Sequence, residues 1–380
     1  MAFSTCISCR AFTSRNREGT EGSNCTKISR PRRQSLWLTL PTETRRTTRR
    51  VHRRIQAPPS ILTPQRSQLV QRYNHNMEST NRIRPSWVDN ALYPFRDNWM
   101  IIDGHTIHYV DEGARDKPVL LFIHPGPAWS FTYRYHIRQL SNEFRCVAPD
   151  LPGYGLSHAA NGYHYTLSEQ AEVFTKFVQA LHLDNIIVWA NDAGGPTSIL
   201  GLAPLADHVD GLVVGGTFGW SLKPYRTVSW TLRVVTSSVF RFINRYSNIL
   251  AWSMGHLAVG TRKMSQNERQ HYQRPFNERD SRNRPLKLFR SFLDKQTQQE
   301  LDKALQLFRD KPVLVQFGEK DPMTGQHWPE RWTREIPRSR VHIIPRVKHF
   351  TFEDAPEATV ENFREWWKTI QLTTEHQAAS

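Results

Sequence analysis

The segment that most constrains this chain is Ile186-Ile187-Val188-Trp189-Ala190-Asn191-Asp192-Ala193-Gly194-Gly195. A short, uninterrupted apolar run reads as a strand buried on both faces of a sheet. It leads into the pattern small-x-Asp-x-small-small, and a helical pattern begins near Gly195-Pro196. A strand that turns sharply into a helix has no room for large Cβ substituents, and the turn pushes its middle side chain out from the sheet edge. Backbone N–H groups at the helix start point toward the same spot. The segment therefore predicts a nucleophile elbow with Asp192 at its tip. The plainer reading of the same residues is an aspartate capping a helix.

The surrounding pattern supplies a sheet for that elbow. Met100 to Asp103 and Thr106 to Val110 flank Asp103-Gly104, a hairpin signal. Strand-like runs follow at Val119 to Ile123, Arg145 to Pro149, Ile186 to Ala190, Gly211 to Gly215, Val313 to Phe317 and Val341 to Ile344. Helical stripes lie between them. Leu167, Ala171, Phe174, Val178 and Leu181 recur at helical spacing behind a Thr166/Glu169 capping box, and Val360, Phe363, Trp367 and Ile370 mark a last helix. Such alternation predicts an α/β fold, a mostly parallel sheet with helices on both faces. It breaks between about Phe218 and Leu305, where aromatic and Arg residues sit in helical runs. The expected organisation is a core of residues 86–217 and 306–380 with a helical cap of residues 218–305, placed where parallel sheets bind ligands.

Charge narrows the function. The net charge is +16, which spread over a folded surface would suggest nucleic acid as a partner. Residues 1–85 carry 17 Lys+Arg against 4 Asp+Glu, leaving 34 against 31 for the rest. The basic character thus belongs to a Ser- and Arg-rich segment without apolar periodicity, and no nucleic-acid partner is expected for the nearly neutral remainder. That composition fits a transit peptide, which would place the protein in mitochondria. It fits equally an over-extended reading frame with its start at Met77 and a cytoplasmic protein, or a disordered arm that touches phosphates. No apolar run approaches the ~18 residues of a spanning helix. Only Cys146 falls in the expected core, so no disulfide framework forms there, and Cys6/Cys9 lack the partners of a zinc site.

Two further positions follow the elbow in chain order. Gly318-Glu319-Lys320-Asp321 comes after one strand and Lys348-His349-Phe350 after the next, both on the sheet edge that carries Asp192. An acid that orients a histidine, which in turn serves a nucleophile, is the general logic of a catalytic triad. Separately, each is also an ordinary loop acid or a buried histidine. The loop His124-Pro125-Gly126-Pro127 follows an inner strand, where a backbone N–H can join that of Ala193 in an oxyanion hole. Ala251-Trp252-Ser253-Met254-Gly255 mimics a serine elbow but lacks the flanking strand and helix.

Over Ser86 to about Ile370 the chain resembles the α/β-hydrolase superfamily, in its branch of haloalkane dehalogenase-like and epoxide hydrolase-like enzymes with an aspartate nucleophile. The resemblance rests on Leu92-Tyr93-Pro94-Phe95, His108 to Gly113, Pro127 to Phe131 through Arg134, Pro149-Asp150-Leu151-Pro152-Gly153-Tyr154-Gly155, Asp192 to Pro196, and His349-Phe350 with Glu353-Asp354. It implies a hydrolase in which Asp192 forms an ester, His349 oriented by Asp321 activates water, and Gly126 and Ala193 hold the oxyanion. A small organic electrophile and water are the implied partners, with no metal or cofactor; the oligomeric state is left open. A carboxylate attacking saturated carbon yields an ordinary ester, which points to a carbon–halogen bond first and an epoxide second. Ala193 departs from the family's tryptophan after the nucleophile, and Gly126 from its asparagine or glutamate. Trp220, Trp230 or Trp252 could replace the missing halide donors, and Tyr225, Tyr246 or Tyr272 could serve an epoxide oxygen. Trp220, Tyr225 and Trp252 are the substrate-contact candidates. Because the departures cluster at the leaving-group side, a binding protein that has lost catalysis is the third reading.

Overall fold

The computed structural model describes residues 83–257 and 259–379. Most of the basic N-terminal segment, with Met77 and the Cys6/Cys9 pair, lies outside the described residues. Eight strands form one sheet in the order β1-β2-β4-β3-β5-β6-β7-β8. They are β1 (Asn98–Ile102), β2 (His105–Glu112), β3 (Val119–Ile123), β4 (Arg145–Pro149), β5 (Ile186–Asn191), β6 (Val209–Gly215), β7 (Val313–Gly318) and β8 (Ser339–Ile344). β1 pairs with β2 and β2 with β4 antiparallel; every other pair is parallel. Asp103 and Gly104 close the first hairpin with φ of 50° and 78°, the left-handed conformations that a two-residue turn needs to follow the strand twist.

Alternate side chains of the central strands enter two apolar layers. Leu121, Val188, Val214 and Val315 pack on one side with Phe174, Phe177 and Trp332. Leu120, Ile187, Val213 and Leu314 pack on the other with Ile137, Phe363 and Trp366. Those faces are covered by α1 (Arg134–Leu140), α2 (Leu167–Ala180), α3 (Gly194–Leu202), α10 (Trp328–Glu335) and α12 (Pro356–Ala379) among others. Each large apolar side chain buried this way contributes about 1.5–3 kcal/mol, so both faces are firmly closed. The capping box of α2 forms as expected: the Glu169 N–H donates to Thr166 Oγ1, and the Thr166 N–H donates to Glu169.

Between β6 and β7 the described residues hold six helices: α4 (Arg226–Val235), α5 (Ser238–Ser247), α6 (Ile249–Leu257), α7 (Gln266–Gln273), α8 (Arg284–Ser291) and α9 (Lys295–Gln306). A buried charge network fastens this stretch to the sheet. The Arg134 guanidinium, with no exposed side-chain surface, bonds to Glu353 and Glu268, and Arg262 bonds to the same two carboxylates. Tyr272 also donates to Glu353 at 2.5 Å. Removing one member would strand a buried charge, which is why such networks are costly to break. Ser253 lies within α6 and donates its hydroxyl to Leu250 O at 2.7 Å, so the apparent serine elbow is a stretch of helix.

Candidate active site

Asp192 follows β5 and has φ 49°, a conformation costly for a residue with a Cβ and characteristic of strained functional turns. Its surroundings hold it there. The Gly195 N–H donates to Asp192 O at 3.2 Å, and Thr217 Oγ1 donates to the same carbonyl at 2.5 Å. A Cβ on Gly195 would stand 1.9 Å from that Thr217 hydroxyl, so the second glycine of the elbow is required by close approach. Behind the turn, buried Asn191 donates to Gly215 O and accepts from Tyr133, which also reaches Ile123 O.

The three predicted polar residues meet at this edge. Asp321 follows β7 and is fully buried; its Oδ1 accepts the Met323 N–H at 2.9 Å, and its Oδ2 lies 3.0 Å from His349 Nδ1. The opposite ring nitrogen, His349 Nε2, is 3.6 Å from Asp192 Oδ1, a charge contact longer than a hydrogen bond. Burial lowers the basicity of His349, but the Asp321 charge and the interactions with Asp192 outweigh it and push its pKa up to about 10. Gly216, with φ 53°, passes directly beside the pair: a Cβ there would lie 2.9 Å from both Asp321 Oδ2 and the His349 ring.

Gly126 donates its N–H to Asp192 Oδ2 at 3.0 Å. Its loop is pinned by His124, whose Nε2 accepts the Leu151 N–H while Nδ1 lies 2.9 Å from Pro125 O. Burial lowers the pKa of His124, which suits a neutral ring with one donor and one acceptor. Ala193 is buried at the N-cap of α3, and its Cβ stands 3.4 Å from where a Cβ on Gly126 would be. The two backbone positions expected to share an oxyanion are therefore neighbours. One Asp192 oxygen rests on an amide donor and the other faces the imidazole.

A cavity of about 460 Å³ opens beside Asp321 and His349, lined also by Ser253, Met254, Met323 and Lys348. Trp220, Tyr225 and Trp252 are not among its lining residues. Trp220 has no exposed surface and packs edge-on against Trp328 and Trp332; Tyr225 packs on Trp328. Trp252 is exposed and stacks on His256. Tyr272 is buried with its hydroxyl committed to Glu353, and Tyr246 lies exposed against Phe242. Sequence reasoning missed Thr217, which holds the elbow carbonyl, and Phe289 of α8, whose ring edge would be 3.2 Å from a Cβ on Gly126. The signal for Phe289 was its place on the apolar face of α8, with Leu286, Leu288 and Phe292 nearby.

Comparison with known proteins agrees with this fold. Residues 118–356 match the family described as the alpha/beta hydrolase fold. Haloalkane dehalogenase 2 of Mycobacterium bovis is 31% identical over 287 residues, covering 72% of this chain and 97% of that protein. A cis-3-alkyl-4-alkyloxetan-2-one decarboxylase of Shewanella oneidensis is 26% identical over 301 residues, covering 75% and 93%. Among solved structures, haloalkane dehalogenase DbeA from Bradyrhizobium elkani superposes with a TM-score of 0.64 at 22% identity, covering 73% of this chain and 99% of that one. The chain belongs to the α/β-hydrolase fold family and is a hydrolase related to the haloalkane dehalogenases.

Proposed function

We propose that this hydrolase cleaves a small organic electrophile through a covalent ester on Asp192, with a dehalogenase-like reaction as the first choice. The observation that carries the reading is the division of labour at Asp192: Oδ2 accepts the Gly126 N–H at 3.0 Å while Oδ1 faces His349 Nε2 at 3.6 Å. Asp192 Oδ1 attacks a saturated carbon; the new C–O bond forms as the carbon–leaving-group bond breaks, and the leaving group departs with its electron pair. Ester formation removes the Asp192 charge, one of the two that hold the His349 pKa up, so the ring more readily becomes the neutral base the second step needs. His349 then takes a proton from water, the resulting hydroxide adds to the ester carbonyl, and the oxyanion on Oδ2 is met by the Gly126 and Ala193 N–H groups. Collapse expels the alcohol, reprotonated from His349, and restores the carboxylate. In this reading residues 218–305 act as the cap over the core formed by 86–217 and 306–380.

An epoxide hydrolase is the runner-up; an acid after β7, as at Asp321, resembles the arrangement of epoxide hydrolases and also of some dehalogenase subfamilies. The runner-up is weakened by the commitment of Tyr272 to Glu353 and the outward position of Tyr246. The test is a His349→Gln variant incubated with haloalkanes, epoxides and alkyl-substituted oxetanones, followed by mass spectrometry of the Asp192 peptide. A trapped adduct with haloalkanes and release of halide is the expected result. An adduct with epoxides alone would select the runner-up, and no adduct with any electrophile would leave a binding protein on a hydrolase fold.

A further inference from the structure

α5 is amphipathic, but its polar side meets the body of the protein, whereas α4 turns Val228 and Leu232 inward and α6 turns Ala251 inward. On α5, Asn244 is buried and donates to Arg282 O at 2.8 Å, and Asn283 donates to Arg241 O at 3.1 Å. Arg282 caps the helix end by donating to Arg245 O and Tyr246 O. The opposite side carries Val239, Phe242, Ile243 and Tyr246, spaced i, i+3, i+4 and i+7, with Val239 71% and Phe242 65% exposed. Trp230 on α4 and Trp252 on α6 extend the exposed apolar surface. Scattered single hydrophobics on a surface need no explanation, but a helical stripe such as that of α5, with exposed tryptophans on the helices before and after it, does.

Charge identifies what the stripe meets. Residues 211–267 contain seven Lys/Arg and no Asp or Glu, although the chain from residue 86 onward is nearly balanced; Arg262 is spent on Glu268 and Glu353 and Arg245 on Asp280, which leaves Lys223, Arg226, Arg233, Arg241 and Lys263 as the surplus. Arg233 and Arg241, with Lys287 and Arg290, also line a cleft of about 860 Å³ beside these helices. A second copy of the same face would set these cations against one another. Apolar side chains and tryptophans flanked by arginines are instead the composition of a surface that lies in an anionic lipid interface. At 9 or 10 residues each, the helices are about 15 Å long, half of a bilayer core, so they lie in its plane. Ser253 and Met254 of α6 line the cavity at His349, while Trp252 on the same helix points outward.

We propose that α4–α6 form a docking surface for an anionic membrane. The proposal does not rest on the reaction proposed above. The full chain is mixed with vesicles of phosphatidylcholine alone or with phosphatidylserine, and the bound fraction is measured by sedimentation. Binding to the mixed vesicles at least ~10-fold tighter than to the neutral ones, weakening as salt rises, is expected. Phe242→Asp with Ile243→Asp should lower it by ~10-fold or more. A second pair at exposed positions, Arg233→Gln with Arg241→Gln, should lower it about 10-fold without touching the apolar stripe. Undiminished binding in both pairs would assign retention to the basic N-terminal segment and overturn the proposal. So would equal binding to neutral vesicles, or a dimer in sedimentation equilibrium that the first pair dissolves, which would make this face an interface between copies.

Discussion

Two histidines in this molecule each hang between two aspartates, yet their surroundings differ. His108 places Nδ1 2.9 Å from Asp150 and Nε2 3.0 Å from Asp97, and its side chain has no exposed surface. Both of its acids are fully engaged: Asp150 accepts the Ser130 and Leu156 N–H groups, and Asp97 accepts two bonds from Arg84. His349 has the same tight bond on one side, to Asp321, but only a 3.6 Å contact to Asp192, whose side chain is 18% exposed. The first trio has its acceptors spent and its histidine sealed from water, with only Asp97 partly exposed at 15%, so it holds loops together. The second leaves one Asp192 oxygen and one His349 nitrogen facing each other without a close bond, and its histidine lines a cavity. Chemistry is distinguished here by what is left unsatisfied, not by which residues are present.

That contrast can be broken from either side. Asp192→Asn should abolish turnover, by at least ~10⁴-fold, while leaving the thermal melting temperature within about 2 °C; a matching collapse of the fold would put Asp192 in the structural class. Asp150→Asn should do the reverse. It leaves His108 and two backbone N–H groups short of a charged acceptor and should cost about 3–5 kcal/mol in urea titrations, with kcat of the folded fraction kept. The smallest effect is in acid. Burial raises the pKa of Asp97, but the bonds to His108 and Arg84 outweigh it and lower the pKa to about 2. A depressed acid stabilises the fold above its ordinary pKa near 3.8 and loses that contribution as pH falls toward 2, here about 1–2 kcal/mol. Melting temperatures recorded across that window should fall, and Asp97→Asn should flatten the curve.

The sequence carried the reacting edge better than the walls around it. β3 and β4 lie where their apolar runs stand, and β5, β6 and β7 extend theirs by one or two residues, because a doubly buried strand must be apolar throughout; β8, a largely exposed edge strand, extends its run by two. The elbow was legible for a related reason: only small residues survive beside Thr217 and the β3 backbone. The aromatic residues of the insertion were not. Trp220 and Trp252 look alike in a list of residues, yet one is sealed between tryptophans of α10 and the other faces solvent. That difference depends on tertiary position, Trp220 lying in the loop after β6 and Trp252 on the outer side of α6, and periodicity alone misleads when, as in α5, the polar side is the one turned inward.

The network of Arg134, Glu353, Glu268 and Arg262 also limits how this protein can be rearranged. Glu268 and Arg262 come from the stretch between β6 and β7, Arg134 from α1, and Glu353 lies four residues beyond His349. Exchanging that stretch for the equivalent one of a relative would import new walls for the cavity but would cost Arg134 its bond to Glu268 and Glu353 its bond to Arg262. The two parts are thus a single inheritance: a chimera keeps the loop that carries His349 in place only if the donor brings its own acid and arginine to the same junction.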